Sequence, residues 1–218
     1  RKTYDFDLIK VTPTSSFCLK DWGIEDQWNG HYHGTRDYTN QVIHKTQDWP
    51  ALKTLDPNQG KLGDQITCLK LLTKEFSPTT PIIQTIFNPL SQAKTLAGGS
   101  RMLVHMRSDP QAFHAGLETI TRSTIAFIEK AAQTGIDGIF LAVQHAQYGL
   151  FSEVEYETFG KPYDMRLLEA AGDMWLNLLH IHGEDVMFEA LAGYPAAIAN
   201  WHDLETYPSL AEAGQIYN

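Results

Sequence analysis

Five short apolar runs, each closed by proline, glycine or polar turn residues, recur along this chain with helical segments between them. They lie at 7–12, 81–87, 137–143, 177–182 and 196–201. Between the first two, Leu62, Ile66, Leu69, Leu72 and Phe76 repeat at helical spacing, and Pro78 and Pro81 close that helix. A short helix is predicted over 91–96. A long one follows over 109–134, opened by Ser108-Asp109-Pro110 and stopped by Gly135. Helical pieces are further predicted over 152–159, 161–175 and 185–193, with another starting at 209–213. Strands alternating with helices predict an α/β fold whose parallel strands are joined by right-handed crossovers. Runs that are apolar almost throughout suit strands covered on both faces. A (β/α)8 barrel and a doubly wound open sheet both fit this order. The polar stretch 21–63 is long for a structureless loop, so it is expected to carry local structure: a hairpin strand within 38–46 and a docking turn at Trp49-Pro50.

Composition narrows the function classes. The 218 residues are 43% hydrophobic and 20% charged, enough for one sizeable core in one or at most two domains. Seventeen basic against 26 acidic residues give a net charge of −9, which argues against a nucleic-acid footprint. No apolar run approaches the roughly 20 residues of a membrane span, and the start has no signal-peptide pattern. Cys18 and Cys68 form no metal-binding or redox spacing, so a reduced, cytoplasmic protein is expected. No glycine-rich phosphate loop follows any strand. The chain lacks an initiator Met and stops soon after an element ends, so it reads as a piece, incomplete at both ends.

In parallel α/β folds chemistry collects where strands end. The third predicted strand is followed by Gln144 and His145, the fourth ends in His180 and His182, and the fifth ends in Trp201, His202 and Asp203. Three consecutive strands thus finish in histidine. His180 and His182 are two apart on a strand and project to one face, so they can reach one metal ion. A catalytic zinc takes about three protein ligands, and His202, His145 or Glu184 is the candidate third. Asp203 is expected to orient His202 or else to cap a turn. His145, His202 and Asp203 are the catalytic candidates; Thr14, Asn88, Gln144 and Trp201 are the substrate-binding candidates. Asn88 and Gln144 suit either hydrogen bonding to a ligand or closing buried backbone bonds. His31 and His33 read as a surface loop, and Glu153, Glu155 and Glu157 as a solvated face.

The order of these segments resembles the uroporphyrinogen decarboxylase superfamily, which includes cobalamin-dependent methyltransferases acting on thiols. The resemblance rests on Tyr4-Asp5-Phe6-Asp7 entering the first strand, on 81–98, on Ala131 to Ile139 as an A-x-x-G-A-D-like approach to the third strand, and on 178–183. It implies a (β/α)8 barrel, of which this chain holds about five βα units in a single domain over 1–218. Strand edges left open would then be a folding liability. The decarboxylase's Asp after the first strand aligns with Thr14, or with Pro13 after a slip of one. Its Tyr after the second strand falls near Lys94 or Thr95, and its Ser after the third near His145 or Ala146. None of these is retained. The methyltransferases' H-x-C zinc pair falls on His180 and His182, with His in place of Cys; their third ligand lies beyond residue 218.

The resemblance therefore implies a divergent enzyme whose first reading is zinc-assisted methyl transfer from a corrinoid, carried by a corrinoid protein, to a small thiol. Decarboxylation of a uroporphyrinogen-like tetrapyrrole is the alternative reading. A non-catalytic barrel that binds a tetrapyrrole or corrinoid is the third.

Overall fold

In a computed structural model of the chain, residues 5–32 and 36–216 are described. His33 lies outside them. Five strands form one sheet: β1 (Ile9–Val11), β4 (Ile82–Phe87), β5 (Gly138–Val143), β6 (Leu178–Ile181) and β7 (Ile198–Trp201). All neighbours are parallel, and their order in space is their order in the chain. A doubly wound sheet reverses direction at a switch point. This sheet never does, so it is an arc of a (β/α)8-type barrel. A separate antiparallel pair, β2 (Glu25–Gln27) and β3 (Asp37–Asn40), occupies the polar stretch.

Side-chain caps open several of the helices, the expected one at Asp109 among them. α1 (Gly60–Phe76) carries Leu62, Ile66 and Leu69 on its buried face. α2 (Pro89–Ala97) starts at Asn88, whose side chain accepts from Ser91 N–H. Asp109 caps α4 (Pro110–Ala132) by accepting from Ala112 N–H, with proline in the first turn. Ser152 and Glu155 form a reciprocal capping box on α5 (Glu153–Phe159). α6 (Lys161–Ala170) ends five residues earlier than its apolar pattern suggests, and α7 (Phe188–Leu191) is a single turn. α8 (Leu210–Ile216) closes the described chain. One helix escapes the sequence pattern, α3 (Gly99–Ser108). It follows α2 directly through Gly98, whose φ of 84° suits glycine.

The alternation of each strand sorts its residues into two layers. Ile82 and Ile86 of β4, Ile139, Leu141 and Val143 of β5, and Leu179 and Ile181 of β6 join the large core under the helices. Trp49 sits fully buried in that core, its ring edge-on to Phe113 at 5.0 Å, so the expected docking turn is real. The other face is the inside of the arc. Its lower layer is apolar, with Ile83, Phe140 and Leu178. Register pairs Ala142 with His180 and His180 with Asn200, so the layer above turns polar.

Candidate functional site

His180, His182 and Asn200 owe their placement to strand register, and His202 follows one residue past the end of β7. His180 and His182 share the inner face of β6 and of its exit, while Asn200 sits directly across from His180. One ligand nitrogen from each of His180, His182 and His202 lies within 4.8 Å of the others. Their ring centroids are 5.6, 6.0 and 5.4 Å apart. His180 is half-buried; His182 and His202 are exposed.

Two of the three rings are held from behind. His180 Nδ1 is 2.7 Å from Asn200 Oδ1. His202 Nδ1 is 3.2 Å from Glu205 Oε2. Each contact places the proton on Nδ1 and leaves Nε2 with its lone pair, as in metal-bound histidines. Burial pushes the His180 and His182 rings below the usual histidine range, which keeps them neutral. Three imidazoles converging on one point, two of them oriented by acceptors, fit a divalent metal such as zinc.

Two spaces adjoin the cluster. A cavity of about 740 Å³ is lined by His182, His145, Gln144, Gln147, Ser91 and Lys94, among others. Inside the arc, a second space of about 580 Å³ is lined by His180, Asn200, Lys10, Thr85 and Gln144. Lys10 Nζ lies 3.9 Å over the Phe140 ring there, and burial lowers its pKa.

The structure distributes the other expected residues unevenly. His145 is buried and lines the larger cavity; burial first, then the charge of Lys94, pushes its pKa down to about 3. Gln144 lines both spaces. Asn88 does not contact either space. It is fully buried, with Oδ1 accepting from Ser91 and Nδ2 donating to the Asp164 carboxylate at 3.2 and 3.3 Å. It closes buried polar groups, the second of the two roles its chemistry allows.

Trp201 points the other way from its neighbours on β7. Period-two alternation sends Asn200 and His202 inward, so the indole packs on Phe188 and donates to Pro208 O at 2.7 Å. Thr14 lies near Lys20 and Asp26, away from the histidines. The carboxylate against His202 is that of Glu205, not Asp203, because the turn after β7 brings back the residue three positions on. Among the three carboxylates expected on a solvated face, Glu155 pairs with Arg107 at 2.7 Å, and that bond holds it at about 2. His31 reaches only the exposed Asp37. Cys18 is buried, and desolvation raises its thiol to about 12, so it is inert.

The sequence reading missed Asn200 and Glu205, although their two-residue and three-residue offsets from His202 were available as a signal. It also missed the buried cluster of Asp164, Tyr156 and Tyr194, which no local pattern announces.

The comparisons with known proteins agree on the family. The uroporphyrinogen decarboxylase family model matches residues 4–210. A methylcobamide:CoM methyltransferase MtbA of Methanosarcina acetivorans is 24% identical over 143 residues, 65% of this chain and 42% of that protein. A uroporphyrinogen decarboxylase of Syntrophotalea carbinolica is 26% identical over 168 residues, 73% of this chain and 48% of its own. The chain thus spans less than half the length of these relatives. A solved methyltransferase from Methanosarcina mazei superposes with a TM-score of 0.72 at 15% identity, over 85% of this chain and 53% of that one, which is a likeness of fold.

Proposed function

We propose that this chain, which belongs to the uroporphyrinogen decarboxylase family, holds a zinc ion on His180, His182 and His202 and serves methyl transfer from a corrinoid to a small thiol. The observation that carries the reading is the convergence of three ligand nitrogens within 4.8 Å, with two rings already turned by Asn200 and Glu205. His202 supplies from β7 a third ligand within the described chain. A corrinoid protein is the partner this reading requires, and the relatives named methylcobamide:CoM methyltransferase support it.

When bound, zinc would lower the pKa of a thiol and hold it as a nucleophile. The chain's own residues do the rest. Asn200 and Glu205 keep Nδ1 protonated on His180 and His202, so neither ring turns away from the ion. The 740 Å³ cavity beside His182 gives the thiol's remaining atoms a place to lie. In the transfer the sulfur lone pair forms the new S–C bond. A methylated corrinoid would supply the methyl group and keep the electron pair of its cobalt–carbon bond, and the thiol proton would leave to solvent.

Decarboxylation is the second reading, favoured by the relatives that carry that name. Metal content and turnover separate the two. Elemental analysis of the purified chain should give about one zinc per chain, lost in a His180→Ala, His182→Ala double variant. Methyl transfer from methylcobalamin to a thiol should disappear with it. A metal-free protein that releases carbon dioxide from uroporphyrinogen would overturn the methyl-transfer reading.

A further inference from the structure

His145 borders the same cavity, and a chain of buried contacts runs back from its ring. Its Nδ1 is 3.2 Å from Ser91 Oγ. Ser91 Oγ is in close contact with Asn88 Oδ1, which also accepts the Ser91 backbone N–H at 3.2 Å. Asn88 Nδ2 donates to both oxygens of Asp164. Tyr156 donates to Asp164 Oδ2 at 2.7 Å, and Tyr194 approaches the same oxygen at 3.4 Å.

The donors and acceptors along this chain admit one assignment. Asp164 and the Ser91 backbone fix which end of the Asn88 amide is oxygen. That oxygen must receive the single hydroxyl proton of Ser91, since two acceptors in such contact would repel. Ser91 Oγ is then left as an acceptor toward His145. Nδ1 therefore carries the ring proton, and Nε2 is a lone-pair acceptor. Among the described residues no hydrogen bond engages Nε2, and the His145 ring lines the cavity.

We infer that His145 Nε2 is a ligand-reading acceptor of the cavity, selecting molecules that present a hydroxyl, thiol or amide donor beside the histidine cluster. Ser91, Asn88 and Asp164 are the positioning residues that set its tautomer. The inference names the substrate class of the proposed site and rests on that site for its setting, but not on metal. Anionic groups without a proton are disfavoured at this point, because Nε2 offers them a lone pair rather than a donor. The site would thus distinguish a protonated donor from its alkylated counterpart.

The test is nitrogen NMR of the metal-free full chain labelled with ¹⁵N, with His145 assigned by a His145→Gln variant. The expected spectrum shows a protonated Nδ1 and an unprotonated Nε2. Ser91→Ala should scramble the two tautomers, whereas Ser91→Thr, which keeps the hydroxyl, should preserve the pattern. Addition of 2-mercaptoethanol should move the Nε2 signal; its doubly methylated analogue, with the same skeleton and no donors, should not. An unprotonated Nδ1 in the parent chain would overturn the tautomer. Equal movement with both probes, or movement with neither, would overturn the donor-reading role. Because no metal is present in this experiment, its failure is separate from failure of the zinc reading, which metal content decides.

Discussion

Asn200 Oδ1 accepts from His180 Nδ1 at 2.7 Å across the β6–β7 register pair. The bond joins the two strands through their side chains at the level of the histidine cluster, and it fixes the nitrogen that faces the other two rings. Replacing an orienting partner of this kind lowers metal affinity roughly 10- to 100-fold. Asn200→Ala should therefore weaken zinc binding by about that factor, read by competition with a chromophoric chelator. Asn200→Asp, which keeps the acceptor, should retain most of it. Equal affinity in Asn200→Ala and parent would show that His180 is oriented by something else.

Two adjacent residues on β7 offer a sharper contrast. His202 faces the cluster, and Trp201 faces the helices. His202→Ala should abolish stoichiometric zinc while leaving the melting temperature of the metal-free chain nearly unchanged, since the ring is exposed. Trp201→Phe should leave zinc binding intact and cost about 1 kcal/mol for the lost bond to Pro208. Zinc retained by the first variant would remove His202 from the ligand set.

That contrast also shows how far the sequence could be read. Residues 196–201 were legible as a strand because a small apolar run ends in polar residues. Period two then decides the faces, yet placing Trp201 with His202 as a joint lining ignored that period. The strands, α1 and α4 were readable because their burial pattern and caps are local. α3 was not, because Met102, His105 and Met106 bury a sparse face with no capping side chain before it. The histidine cluster was legible from the ends of two neighbouring strands, β6 and β7, whereas His145 at the end of β5 lies outside it. Glu205 and Asp164 were not, since their roles arise from a turn and from a contact 76 residues away in sequence.

Gly138 opens β5, where a β-carbon would fall on the backbone carbonyl of Leu176 at the approach to β6. Neither backbone can yield without disturbing the β4–β5 pairing of Ile83 with Gly138. Overpacking of this kind costs about 1–3 kcal/mol. For a chain of this length that corresponds to a melting temperature lowered by roughly 2–12 °C in Gly138→Ala. Gly149→Ala, where an added carbon meets nothing within 4 Å, should melt like the parent. Unchanged melting in Gly138→Ala would show that the strands are not so closely apposed.

Asp164 gives the chain a pH dependence of unusual sign. The carboxyl is fully buried, and desolvation raises its pKa from 3.8 to about 7, against the opposing hydrogen bonds of Tyr156, Asn88 and Tyr194. The folded state therefore holds a proton that the unfolded state has released between about pH 4 and 7. Over that window the contribution of Asp164 to stability falls as pH rises, by on the order of 4 kcal/mol at most. His145 runs the other way: its folded pKa of about 3 lies below the unfolded value, so its contribution is lost as pH falls from about 6.5. Asp164→Asn removes the first slope and leaves the second. Denaturant unfolding at pH 4.5 and pH 8 should show the variant gaining on the parent by a few kcal/mol at the higher pH. A difference between the two chains that does not change with pH would mean that Asp164 is ionised in the folded protein throughout.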